Sequence, residues 1–171
     1  MKKEVLDVVT PKDEVIGSAS REECHKEDLR HRGVHIFLFD YEGKVLLQKR
    51  SKNKDAFPEY YEASLSEHVK KGEEYTDAAI RELKEELGIK AKKEDLRELL
   101  KFKMLFGKEH EIITHFTIKY NGEIKPNKRE IETCGFITWE ELGRMINAMP
   151  HKFHPATIIA WQKHEIVKKI L

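Results

Sequence analysis

Apolar and polar positions switch between two periods along this chain, and the switches mark its elements. Residues 4–9 and 14–17 are short apolar-rich runs flanking a Pro-Lys-Asp-Glu turn, which predicts two short strands. Residues 20–27 read as a short helix. Gly33 to Phe39 and Lys44 to Lys49 read as strands joined by a hairpin turn at Asp40-Tyr41-Glu42-Gly43. A loop containing Pro58 and short extended segments up to Val69 follow. The period then lengthens: Ala79, Leu83 and Leu87 recur every four residues, which predicts a helix from about Thr76 to Leu87. Thr76 is the expected N-cap, and Gly88 the expected left-handed stop. Lys93 to Leu99 reads as weakly helical, and Lys101–Phe106 and Glu111–Tyr120 as strands. Asn121-Gly122 is expected to turn tightly between strand-like pieces. Phe136 to Trp139 reads as a strand and Glu140 to Ala148 as a helix. A closing helix over Pro155 to Ile170 has Ile158, Trp161 and Ile166 near one face. Strands with helices at intervals imply an α/β chain whose central mixed sheet is covered on its faces.

At 171 residues and 39% hydrophobic content the chain suits one domain with a proper core. No repeat, low-complexity tract or flexible linker divides it. One domain over 1–171 is therefore expected, with a hairpin and short helix over 5–30 and the core over 31–171. A net charge of +1 gives no electrostatic footprint for nucleic acid. Cys24 and Cys134 show neither CxxC nor framework spacing, no apolar run is long enough to span a bilayer, and no targeting segment is legible. A cytoplasmic protein with no membrane partner is the expectation; a homodimer is admitted without being required.

The chemistry concentrates on the predicted helix. Glu82, Glu85 and Glu86 stand at i, i+3 and i+4, so their carboxylates share one face. Such a cluster repels itself unless a cation lies within it, and oxygen donors suit Mg²⁺ or Mn²⁺. Glu73, just ahead of the helix, is placed to reach the same ion. The planar fork of Arg81 can hold a carboxylate in position. A Glu-rich helix in a chain with 37% charged residues is often only a solvated face, so the fixed spacing has to decide.

That spacing runs Glu73, seven residues, Arg81-Glu82-Leu83, one residue, Glu85-Glu86, one residue, Gly88-Ile89, and it resembles the Nudix box of the Nudix hydrolase superfamily. The one departure is Glu67, where the signature has Gly. The resemblance implies a Nudix-type α/β/α sandwich and metal-dependent attack of water on a diphosphate joined to another moiety. Glu85 within the box, or Glu111 or Glu109 from a loop, would then take the proton, and Arg81 would orient the set without titrating. The substrate implied is a nucleoside diphosphate, nucleoside triphosphate or related compound.

The likeness extends over most of the chain. Leu46 to Arg50, Lys54-Asp55, Phe57-Pro58, Ser64, His68-Val69, Arg30-His31-Arg32 and Phe153-His154-Pro155 resemble the branch holding type I isopentenyl-diphosphate isomerases and their hydrolase relatives. On that resemblance His31, His68, Glu109 and Glu111 match a histidine–glutamate metal site; His25 fits less closely, one residue short in its spacing to His31. Arg50 and Lys54 fall where the branch binds diphosphate. Two departures argue against isomerisation. Ser66 stands at the position of the acid/base thiol, and His151 at that of a tryptophan that would steady a carbocation. Hydrolysis is the better expectation. A non-catalytic nucleotide- or metabolite-sensing domain is the reading from another class, and the full acidic set argues against it.

Overall fold

The computed structural model describes residues 4–170, with side chains through Glu165. The apolar run in the first third becomes β3, His31–Phe39, and the main sheet is assembled on it. In chain order the other strands are β1 (Val5–Val9), β2 (Val15–Ser20), β4 (Val45–Arg50), β5 (Tyr61–Ala63), β6 (Leu65–His68), β7 (Leu96–Phe106), β8 (Glu109–Lys119) and β9 (Ile131–Ile137). The helices are α1 (Arg21–Lys26), α2 (Tyr75–Leu87), α3 (Trp139–Ala148) and α4 (Pro155–Ile170). The seven-stranded sheet runs β5-β4-β3-β8-β7, with β6 also on β3 and β9 also on β4, while β1 and β2 pair separately. β3 and β8 are parallel and the other pairs antiparallel, so the sheet is mixed.

Alternation along β3 sorts the core into two layers. Val34, Ile36 and Leu38 join Ala79, Leu83 and Leu87 of α2 in one cluster. Phe37 joins Trp139, Leu142 and Ile146 of α3 and Ala156 and Ala160 of α4 in the other. The result is the expected α/β/α sandwich. Ile158 and Trp161 pack against the second cluster; Ile166, grouped with them in the sequence, lies outside the described side chains.

The C-terminal end of α2 also anchors the chain that returns after β8. Gly88 closes the helix at φ 71°, and a Cβ there would come within 3.0 Å of Lys125 Cβ. The last turn's carbonyls, orphaned by helix geometry, are taken by the returning segment: Lys125 N–H donates to Leu87 O (2.8 Å) and Asn127 N–H to Glu86 O (2.7 Å).

Four expectations shift. Thr76 is not the N-cap: α2 starts one residue earlier, at Tyr75, behind Glu74, which makes no side-chain capping bond. Lys93–Leu99 is helical only as a single turn at Lys93–Asp95, because β8 offers an edge on which Leu96 pairs with Ile118. Asn121-Gly122 leads into the segment that caps α2 rather than into another strand. Trp139 opens α3 instead of ending a strand, since Thr138 forms a capping box with Glu141. No helix among the described residues is long and apolar enough to cross a membrane.

Leu83 is fully buried where α2 meets the sheet. Leu83→Ala is expected to cost about 2–5 kcal/mol, read as a lower urea midpoint with unchanged slope.

Candidate active site

The three box carboxylates are not equivalent in the fold. Glu82 and Glu86 are buried, whereas the Glu85 side chain is about half exposed at 53%. Arg81 organises this face. Its Nε donates to Glu73 Oε1 (2.8 Å) and a terminal nitrogen to Glu73 Oε2 (2.9 Å), a two-point fork. Its other terminal nitrogen bonds Glu82 and lies 3.5 Å from Glu85 Oε2. Glu73, expected to reach an ion, instead has both carboxylate oxygens on the arginine, which it fixes in place.

Opposite α2 stands Glu67, in the regular strand β6 and paired with Val34. Its φ is not positive, so the glycine expected there is not demanded by the backbone. Lys54 Nζ donates to Glu67 Oε1 (2.6 Å) and Glu130 Oε2 (2.7 Å) and lies 3.6 Å from Glu86 Oε1. Burial disfavours a charged Glu67, but Lys54 outweighs it and the pKa falls to about 2. Glu86 moves the other way: burial and the neighbouring Glu67 charge raise it well above the usual carboxylate range.

Next to this knot three imidazoles converge. The rings of His25, His31 and His68 are 5.1–5.3 Å apart, centroid to centroid. Ligand atoms of these three and Glu109 all lie within 4.8 Å of one another. His68 Nε2 is 3.2 Å from Glu111 Oε1 and 3.7 Å from Glu109 Oε2, and His31 Nε2 is 3.4 Å from Glu111 Oε1. His31 Nδ1 faces the Leu29 carbonyl at 2.9 Å, which can only accept. In the neutral ring Nε2 is therefore a bare lone pair turned into the cluster. His31 Nε2 and His25 Nε2 are both buried without a hydrogen-bond partner. Gly33 makes this packing feasible, because a Cβ there would sit 3.1 Å from Glu111 Oε2. His25, one residue short in its spacing to His31, nonetheless joins the cluster from α1.

Both clusters open onto one cavity of about 370 Å³. Glu82, Glu85, Glu86, Glu109, Glu111, His68, Arg50 and Lys54 all line it; His31 lies behind, fully buried. Arg50, expected to meet a diphosphate, is itself buried: it donates to Glu62 Oε2 (2.8 Å) and to the carbonyls of Phe57 and Ala56. Ser66 lines the cavity, but His151 is exposed on a short turn and does not; the nearby lining residue is His154. Glu130 and Glu4 line it too and were missed. Glu130 hides in the charge run Lys128-Arg129-Glu130, and Glu4 precedes the first strand; neither carries a local signal.

The fold and site together define a class: an α/β/α sandwich whose acidic helix forms one wall of a highly charged cavity. The NUDIX domain family matches residues 29–162. The chain is 34% identical over 147 residues to an uncharacterised Nudix hydrolase of Streptomyces coelicolor, spanning 83% of this chain and 79% of that protein. It is 37% identical over 136 residues to one of Clostridium acetobutylicum, spanning 78% of this chain but 64% of that protein. The crystal structure of DR0079 from Deinococcus radiodurans superposes with a TM-score of 0.73 at 28% identity, over 85% of this chain and 90% of that one. The chain belongs to the Nudix family and is a hydrolase.

Burial opposes charge on His68, yet the carboxylates of Glu109, Glu111 and Glu4 hold its pKa well above 6.5. A raised folded pKa stabilises fully below the unfolded value, and that stabilisation is lost as pH climbs through the folded one. With chelator present, the melting temperature is therefore expected to fall as pH rises above 6.5, and His68→Asn to flatten that slope in a thermal-melt series.

Proposed function

We propose that the cavity cleaves a diphosphate linkage in a nucleoside diphosphate, nucleoside triphosphate or related compound, using Mg²⁺ or Mn²⁺ held by Glu82, Glu85 and Glu86. The observation that carries this reading is the convergence of those carboxylates, on successive turns of α2, with Lys54 and Arg50 in one cavity. A divalent ion, when bound there, neutralises phosphate oxygens and makes water more acidic. The chain's own groups do the rest. Arg81, gripped by Glu73, fixes Glu82. Glu85 is the most exposed box carboxylate and is the group assigned to accept the proton from water. Glu109 and Glu111 face the histidines and serve there instead. Arg50, neutralised by Glu62, holds the 51–60 loop at the cavity wall and presents its remaining donors to phosphate.

The histidine cluster is read as a second metal site of His31, His68, Glu109 and Glu111, joined by His25. The buried Nε2 atoms of His25 and His31, both without a hydrogen-bond partner, support it, and an imidazole–carboxylate donor set suits Mn²⁺ or Zn²⁺ better than Mg²⁺. We read residues 1–171 as one domain, because the N-terminal segment supplies both Glu4 and His25 to the site. The same cluster favours isomerisation of a prenyl diphosphate as the second reading. Against that stand Ser66, whose hydroxyl is a poor acid at neutral pH, and the absence of an aromatic lining residue other than histidine among the described ones.

Glu85→Gln and Glu86→Gln are each expected to lower metal-dependent phosphate release at least about a hundredfold without lowering the melting temperature. Wild-type rates in both variants would reduce the acidic helix to a solvated face. His31→Asn should cost one equivalent of tightly bound Mn²⁺ or Zn²⁺ per chain by elemental analysis, which Glu86→Gln should keep. In deuterated water isopentenyl diphosphate should gain no deuterium at its allylic carbon; rapid incorporation would establish the isomerase reading.

A further inference from the structure

Lys54 occupies the place in the acidic site that a cation would take. Its ammonium is 2.6 Å from Glu67, 2.7 Å from Glu130 and 3.6 Å from Glu86, and those three carboxylates present oxygens within 4.8 Å of one another. The lysine side chain is only 14% exposed. The two close contacts go to carboxylates that the Nudix box does not call for. One is Glu67, a carboxylate where the signature has Gly; the other is Glu130, delivered by the segment that caps α2. The box residue Glu86 is the partner held most loosely.

The backbone carrying Lys54 is tied down at its two ends, by Ser51 N–H donating to Glu130 O (2.8 Å) before it and by Arg50 beyond it. Arg50 pins the far half of the loop through the carbonyls of Ala56 and Phe57, and Phe57 and Glu59 take left-handed φ values of 49° and 63°. Such values are costly for side-chain-bearing residues and persist where the surroundings impose them. Around Lys54 itself the loop has its bond to Ser51 O (3.2 Å), the Asn53 contact to Ser51 Oγ (3.2 Å), the exposed ion pair of Asp55 with Arg21 (2.9 Å) and the carboxylate knot. Releasing the ammonium would leave residues 52–55 held only by the Ser51 contacts and the weak, exposed Arg21–Asp55 pair, while Arg50 keeps the rest of the loop in place.

We propose that Lys54 is the internal counter-ion of the acidic site, and that a divalent ion binds Glu86 only by displacing it, so that ion binding and release of the 52–55 loop tip are one step. This rests on the reading that the box carboxylates hold a divalent ion. A divalent ion on Glu86 would lie close to the Lys54 ammonium, and like charges at about 4 Å repel strongly even at an effective dielectric near 20, so the two compete for Glu86. Glu67 and Glu130 thereby act as positioning residues: they hold Lys54 when the ion is absent.

The test is Mn²⁺ titration followed by the electron paramagnetic resonance signal of free Mn²⁺, with hydrogen exchange of the 52–55 amides in parallel. Lys54→Met is expected to bind Mn²⁺ at the acidic site at least about tenfold more tightly and to be less heat-stable than wild type in chelator. Glu130→Gln, altered at a partly exposed position that should not endanger folding, is expected to tighten binding about threefold. In wild type, Mn²⁺ should speed exchange at 52–55. Unchanged or weaker binding in Glu130→Gln, or in a folded Lys54→Met, overturns the proposal, as does exchange at 52–55 that slows or does not move. Glu86→Gln separates failure of this proposal from failure of the metal-site reading beneath it. If it removes one class of Mn²⁺ site, the acidic-helix reading stands and the Lys54 and Glu130 variants judge the counter-ion alone. If it removes none, that reading falls and takes this proposal with it.

Discussion

The site depends on balancing buried charge. Acidic side chains outnumber basic ones around the cavity, and a carboxylate withdrawn from water without a partner is costly. Each is answered by a particular group: Glu73 by Arg81, Glu62 by Arg50, Glu67 and Glu130 by Lys54, Glu111 by His68. Glu86 is the one these pairings serve least well. Its raised pKa is the physical expression of that shortage, and its position marks where an additional cation gains most.

The fold makes the balance possible by bringing together elements far apart in sequence. Glu109 and Glu111 sit at the start of β8, and His31 at the start of β3; the parallel pairing of those strands sets His31 opposite Glu111. Gly33, the next residue on that face, leaves room for the Glu111 carboxylate. His68 arrives on β6, which pairs with β3 from the other side, opposite Gly33. Three strand ends and α1 thus deliver one donor set. Rigid strands place donors more reliably than loops do.

The acidic wall is assembled differently. α2 carries Glu82 and Glu86 inward because the buried stripe of Ala79, Leu83 and Leu87 fixes its rotation. Once the carbonyls at its C-terminus need partners, the segment after β8 supplies them, and Glu130 comes along three residues after Asn127. A capping requirement therefore completes an electrostatic site. A second buried pair, His35 and His115, shows the contrasting outcome. Their Nδ1 atoms lie 3.0 Å apart deep in the sheet, and burial pushes His115 down to about 3, so this pair stays neutral and acts as packing.

What the sequence determined was periodic or fixed by local spacing. The strand run at β3, the four-residue repeat of α2, the Gly88 stop and the Arg-Glu-x-x-Glu-Glu arrangement all rest on interactions within a few residues, so they are legible one-dimensionally. The sequence also grouped His31, His68, Glu109 and Glu111, though only through resemblance, since nothing local joins residues some eighty positions apart. Tertiary structure alone decided that Glu73 serves Arg81, that Glu67 sits on an ordinary strand and answers Lys54, and that Arg50 is tied to Glu62. It alone brought in Glu130 and Glu4 and sent His151 to the surface. Each of those outcomes turns on which charge lies nearest in space once water is excluded, and no pattern along the chain encodes that distance.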